Sequence, residues 1–243
     1  MRLPTVLLTA GLLATPALAE MTPAERVAFR DEVRAYLLEN PEVLVEAMTV
    51  LQDRQALAEA DQDKAMLVTH KEALFADPGS WVGGNPDGDI TVVEFMDYRC
   101  GYCRKAYDEI EELVKSDGNI RFILKEYPIL GEESVTSSRF AVAVLQLAGP
   151  AAYKQAHDAL ITLRGTPDEA TLTRLAGELG LDAPAVLARM NAEEVTAVLA
   201  ANQALGDAMA ITGTPTFVID GMLLRGYVPL DGMREIVAGE RES

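Results

Sequence analysis

Glu94-Phe95-Met96-Asp97-Tyr98-Arg99-Cys100-Gly101-Tyr102-Cys103 holds both cysteines of a 243-residue chain. Ile90-Thr91-Val92-Val93 leads into it with β-branched residues, so 90–96 is expected to be a strand. The C-x-x-C follows at once, and Ala106 to Lys115 continues with Ile110, Leu113 and Val114 on one helical side. Asp117-Gly118-Asn119 turns the chain, and Ile120 to Tyr127 is a second strand, stopped by Pro128. Strand, C-x-x-C, helix and strand form a βαβ unit with cysteines at a helix start. A protein that used disulfides for stability would spread its cysteines. This one puts its whole supply in a single motif, which indicates chemistry rather than stapling.

Thiol–disulfide exchange needs a thiolate nucleophile and a second thiol near enough to resolve the mixed disulfide. Cys100, at the helix N-terminus, faces unpaired N–H groups and the positive end of the dipole. Thiols so placed have pKa values of about 3.5–7.5. Cys103, one turn in and more buried, is the expected resolving thiol. The electrons are carried by the cysteines themselves, so neither cofactor nor metal is expected.

Downstream, Arg139–Leu147, Ala151–Leu163, Ala170–Leu179, Ala183–Met190 and Glu193–Met209 carry helical apolar faces, punctuated by Gly149-Pro150, Gly165-Thr166-Pro167 and Gly180. The character changes at Ile211-Thr212-Gly213-Thr214-Pro215. Thr216–Ile219 and Met222–Tyr227 flank the hairpin signal Asp220-Gly221, and a last helix runs from about Leu230 to Ala238. Just upstream of the first strand, Trp81 to Asp89 is expected to be a turn-rich entry loop. It lacks the G-x-x-x-x-G-K-[ST] pattern of a phosphate loop.

At the other end, Met1-Arg2, the apolar run Leu3–Leu18 and Ala17-Leu18-Ala19 form a signal peptide pattern, with cleavage expected after Ala19 and export to the periplasm. Residues 20–76 are expected to form a helical arm. Thr22-Pro23-Ala24-Glu25 is a capping-box start, Asn40-Pro41 breaks and restarts the helix, and Phe29, Val33, Leu37, Leu44, Met48 and Leu51 recur at helical spacing. Such a stripe must be covered, either by its own domain or by self-association as a bundle or coiled coil. The mostly polar 52–64 stretch favours a solvated helix or spacer.

The 21 Lys and Arg against 38 Asp and Glu give a formal charge of −17, which repels phosphate backbones and excludes nucleic-acid binding as a main role. Two cysteines and two histidines cannot build a four-ligand zinc site unaided. His70 and His157 are taken as structural. The adjacent pairs Glu111-Glu112, Glu132-Glu133 and Glu193-Glu194 diverge around their helices and are solvated faces.

The C-x-x-C after Glu94–Tyr98, with Gly213-Thr214-Pro215-Thr216-Phe217 before the hairpin, resembles the DsbA-like branch of the thioredoxin superfamily. Glu126-Tyr127-Pro128-Ile129-Leu130-Gly131 and His157-Asp158-Ala159-Leu160 are similar to that group as well. The resemblance implies an α/β thioredoxin fold over 77–243 with a helical insert at about 132–210. Leu37-Leu38-Glu39-Asn40-Pro41-Glu42-Val43-Leu44 resembles the arm of the Com1 and suppressor-of-copper-sensitivity (ScsC-like) subset, whose members can oligomerise through it. The resemblance also implies a cis Pro215, with Thr214 and Pro215 pairing with the substrate backbone. It implies an acidic and basic pair, Glu94 and Lys125, beneath the cysteines, where a buried carboxylate can relay a proton from Cys103. A plain ion pair is the other reading, and Glu126 competes with Lys125 because only one of them can face the site. Gly101-Tyr102 tunes the thiols. The family's strongest oxidants carry Pro-His there, so a milder oxidant is expected, and Tyr102 either contacts substrate or covers the site.

A periplasmic protein thiol–disulfide oxidoreductase results, acting on exported thiols and disulfides and recharged by a membrane redox partner. Interchange (isomerase or reductase work) by an oligomer is preferred. Net dithiol oxidation is the alternative, and Cu(I) binding in copper tolerance is a third reading: two soft thiolates suit the ion, but nine methionines are scattered.

Overall fold

A computed structural model describes residues 21–242. The expected leader, 1–19, lies outside them. The chain divides into two compact units, one ending at Leu57 and one starting at Ala58.

In the first unit, α1 (Pro23–Glu39) begins with a capping box. Thr22 N–H donates to the Glu25 carboxylate at 2.8 Å while Glu25 N–H donates to the Thr22 hydroxyl at 3.3 Å. Asn40 ends α1 and Pro41 leads into α2 (Glu42–Thr69). No residue of α1 is buried, and Val27, Phe29, Val33, Leu44, Met48 and Leu51 are exposed.

The second unit is built on a five-stranded sheet in the order β1-β3-β2-β4-β5. Its strands are β1 (Trp81–Gly84), β2 (Ile90–Met96), β3 (Ile120–Glu126), β4 (Thr216–Ile219) and β5 (Met222–Arg225). β2 and β3 run parallel and the other pairs antiparallel. β2 is therefore central, and its carboxyl end, where the C-x-x-C begins, opens at the edge where sites form in such sheets. The pleat sorts the strands into two cores. Val92, Met96, Phe122, Leu124, Phe217 and Ile219 meet α4 (Gly101–Asp117), α5 (Glu132–Thr162) and α9 (Leu230–Glu242). Val93, Phe95, Ile123 and Val218 meet Leu67, Leu74 on the short α3 (Lys71–Phe75), Leu205 and Met209 on the opposite face.

Between β3 and β4 stands the helical insert, α5 to α8, with α6 (Glu169–Glu178), α7 (Ala183–Met190) and α8 (Glu193–Ala208). The two helices expected on either side of Gly149-Pro150 are both present and meet there as the halves of α5, across a kink where Gly149 leaves helical geometry at φ +81°.

Two sequence expectations are revised. Trp81–Gly84, expected as loop, is an edge strand antiparallel to β3. Its glycines hide the strand pattern: a Cβ on Gly83 would sit 2.0 Å from the Trp81 ring, so glycine is required by packing. Leu67 and Leu74, assigned to the arm, belong to the second unit, where they are 5% and 0% exposed.

Candidate active site

Cys100 is the N-cap of α4, with extended backbone (φ −74°, ψ 120°), and is 8% exposed. Its neighbours hold it firmly. Cys100 N–H donates to Asp97 O at 3.1 Å, and Arg104 Nε donates to Tyr98 O at 2.8 Å. The Asp97 carboxylate, fully buried, accepts from Arg99 N–H (2.7 Å), Ser134 Oγ (2.7 Å), Ile129 N–H (2.8 Å) and Leu130 N–H (3.0 Å). It ties the loop before the cysteines to the loop after β3, and a carboxylate so fully satisfied is a rigid anchor.

Thr214 and Pro215 approach from the other side. Their peptide bond is cis. Thr214 O lies 3.1 Å from Cys100 Sγ, positioned to accept from the thiol. The Thr214 hydroxyl is buried beside the sulfur with no hydrogen-bond partner. The Cys100 thiol is pulled from its ordinary 9.0 down to about 5. The hydrogen bond from Cys103 is the main cause. Burial opposes it, and Thr214 and the Cys103 and Tyr102 amides add to it. Cys103, 2% exposed, is pushed far up by burial, by its donation to Cys100 and by Glu94. Cys100 is therefore the thiol able to attack a disulfide at neutral pH, and Cys103 keeps its proton. In the dithiol protein, thiolate absorbance near 240 nm is expected to titrate with a midpoint of about 5. A midpoint near that of free cysteine would contradict a thiolate stabilised at the start of α4.

Gly101 is exposed, and Tyr102, 62% exposed, stacks on Tyr227 at 6.0 Å between centroids. Tyr227 is in turn anchored by its hydroxyl on Glu109 (2.7 Å), with the Lys105 ammonium 4.2 Å from its ring centroid. Tyr102 thus stacks away on Tyr227 and extends an aromatic surface in the C-x-x-C loop.

Glu94 and Glu126 share the face under α4, while Lys125 points to the other. The expected Glu94–Lys125 pair does not form. Adjacent residues on a strand alternate faces, and Lys125 instead donates to Asp77 (2.6 Å) and Ala73 O (2.8 Å). Glu94, 6% exposed, is pushed up to about 8 by burial first, then by the negative charges of Cys100, Glu111 and Glu126. Glu126 accepts from Tyr98 and Tyr153, and Tyr98 also meets His157. Glu126 and His157 were expected singly, and their meeting with Tyr98 and Tyr153 was not expected. The signals for it were Tyr98 inside the opening motif and Tyr153 and His157 four apart on one helix.

The chain matches the DSBA-like thioredoxin domain over residues 91–238 and the copper resistance protein ScsC N-terminal domain over residues 25–58. It is similar to a thioredoxin-like oxidoreductase from Silicibacter pomeroyi DSS-3, at 41% identity and a TM-score of 0.66, over 71% of this chain and 98% of that one. The thiol-disulfide exchange protein alpha-DsbA2 from Wolbachia pipientis is 25% identical with a TM-score of 0.70, over 75% of this chain and 98% of that one. Proteus mirabilis ScsC in a transitional conformation is 27% identical with a TM-score of 0.66, over 90% and 96%. Among curated proteins, the Na(+)/H(+) antiporter NhaA 1 of Salinispora arenicola is 28% identical over 158 residues, 64% of this chain and 24% of that protein. The chain thus spans about a quarter of the curated relatives it matches. Among the described residues no helix is long and apolar enough to cross a membrane. With the domain match covering more than half of its length, the chain belongs to the DSBA-like thioredoxin family, and a match to the ScsC N-terminal domain precedes that domain in the sequence.

Proposed function

We propose that this protein is an exported thiol–disulfide exchange enzyme, with Cys100 as nucleophile and Cys103 as resolving thiol, and that its main work is disulfide interchange. The observation that carries the reading is Cys100 at the start of α4, with a thiol pulled down to about 5 and a buried, protonated Cys103 beside it. Thr214 and Pro215 present backbone next to the sulfur, where an extended substrate segment can pair with them. Tyr102 and Tyr227 offer a ring surface to residues flanking the substrate cysteine. Export rests on residues 1–19, and a mature N-terminus at Glu20 is expected. A membrane redox partner recharges the pair.

Interchange is favoured over net oxidation by the arm. Its exposed Val27, Phe29, Val33, Leu44, Met48 and Leu51 would each gain on the order of 1–3 kcal/mol if covered. Copies joined through the arm would bring several active sites to one misbridged substrate. Rescue of a scrambled multi-disulfide protein is compared with oxidation of the same protein fully reduced. The chain from Glu20 is expected to rescue, and removal of residues 20–57 is expected to cut rescue while sparing oxidation. Rescue that survives the truncation, or a monomer by light scattering before it, would defeat interchange through the arm and leave net oxidation.

Cu(I) binding is a second reading, favoured by the description of the matched N-terminal domain. Two thiols suit this soft ion, and among the described residues no third His, Cys, Asp or Glu joins them in a metal-sized group. One Cu(I) per one or two chains, lost in Cys100→Ser, would support it.

A further inference from the structure

On the sheet face that carries Glu94 lies a second buried carboxyl. Glu126 closes β3, is 3% exposed and faces the same side of the sheet as Glu94. Its Oε1 accepts from Tyr98 (2.8 Å) and Tyr153 (2.6 Å). Its Oε2 is buried with the Ser138 hydroxyl beside it, and neither atom is in hydrogen-bond geometry with a partner. The Tyr98 oxygen lies 3.1 Å from His157 Nδ1. Its single proton goes to Glu126, so the oxygen is left to accept from an Nδ1–H tautomer of His157. Tyr153 stacks between Trp81 (5.6 Å) and His157 (6.1 Å) and is fixed in place.

The groups around this carboxyl come from every neighbouring element. Glu94 comes from β2, Asp97 and Tyr98 from the loop that follows it, and Tyr153, His157 and Ser138 from α5. Asn202 on α8 donates its amide to Glu126 O at 3.1 Å. Lys154 and Asp158 flank His157, and Cys100 and Glu111 act on the same face through Glu94. Burial raises both tyrosines and lowers His157 to about 4, so none of the three changes charge near neutrality. Burial pushes Glu126 up to about 7 against the hydrogen bonds it accepts. A carboxyl that only knitted the fold would have both oxygens satisfied. Here Oε2 has only the Ser138 hydroxyl beside it, outside hydrogen-bond geometry, and Oε1 is tied through Tyr98 to the segment that launches Cys100.

We propose that Glu126 is a positioning residue of the exchange centre, fixing the Tyr98-Arg99 segment and setting, by its proton occupancy, the charge beneath the thiols. The inference rests on the exchange reading above. Its sign follows from the two redox states. The dithiol carries the Cys100 thiolate and the disulfide carries no charge, so an ionised Glu126 disfavours the dithiol and makes the protein harder to reduce.

The test equilibrates the full chain with glutathione. In that reaction the Cys100–Cys103 bond breaks, two glutathione thiols supply the electrons, and glutathione disulfide forms. Near pH 6, Glu126→Gln and wild type should give the same constant, because both side chains are neutral. Near pH 8 the variant should lie about three- to tenfold further toward the dithiol. Equal constants at both values overturn the inference, and so does an equal shift at both, which is what a purely structural change produces. Should Glu126→Gln fail to fold, the wild-type constant must show an extra inflection near pH 7 that persists in Glu94→Gln, and its absence overturns the inference. A wild-type protein that never equilibrates with glutathione overturns the exchange reading and this inference together.

Discussion

Cys100→Ser is expected to abolish exchange, with insulin reduction falling to the uncatalysed background, whereas Cys103→Ser is expected to trap substrate as a mixed disulfide. The difference follows from the two environments. Lowering Cys100 from 9.0 to about 5 raises its thiolate fraction at pH 7 about a hundredfold, from roughly 1%. The less basic sulfur is also a weaker nucleophile. A Brønsted slope of about 0.45 over that change takes back roughly sixtyfold. Ionisation alone therefore leaves attack almost unchanged. The gain appears when Cys100 leaves, since a thiolate lowered to about 5 beside the Cys103 thiol at the start of α4 is a good leaving group. Without Cys103 nothing inside the protein displaces it, so the substrate stays attached. The same stabilisation acts only in the dithiol, and it is lost as pH falls through about 5, so oxidising power weakens in acid. Insulin reduction that survives Cys100→Ser, or Cys103→Ser that accumulates no adduct on a non-reducing gel, would refute the assignment of roles.

Much of this was legible in sequence because the deciding features are local. The Cys100-Gly101-Tyr102-Cys103 spacing at a strand-to-helix junction, the cap Thr22–Glu25 and the β-branched start of β2 each act within a few residues. What escaped depends on partners far along the chain. Lys125 finds Asp77 across the sheet, Trp81 anchors its indole on Pro150 O at 2.9 Å, and Glu126 finds Tyr153. Whether Lys125 or Glu126 faces the thiols is settled by the strand's register, and a one-residue slip exchanges them. Composition carries no such register. β1 was hidden for a related reason: Gly83 and Gly84 sit where neighbouring atoms leave no room for a side chain, so packing removed the residues that mark a strand.

Glu94→Gln is expected to slow resolution of the mixed disulfide about a hundredfold while leaving its formation nearly intact. In the dithiol, Glu94 is held up to about 8 by burial and then by the Cys100 thiolate, so it is protonated at neutral pH. Once Cys100 is bound to substrate its charge is gone, and Glu94 ionises more readily. It can then take the proton of Cys103, whose thiolate attacks Cys100 Sγ, closes the disulfide and releases the substrate thiolate. Glutamine cannot accept that proton. The adduct should therefore persist, and its decay should quicken steadily with pH as solvent replaces the carboxylate. Wild-type decay should level off. Stability must move in the opposite sense. A carboxyl raised from 4.5 to about 8 costs the folded dithiol stability as pH rises through that window, and Glu94→Gln removes the loss. The variant should melt at a higher temperature than wild type near pH 9, and the gap should close near pH 4. Slower resolution without that crossover would mean that glutamine had disturbed the packing under α4. Wild-type decay of the adduct at every pH would remove Glu94 from the proton path.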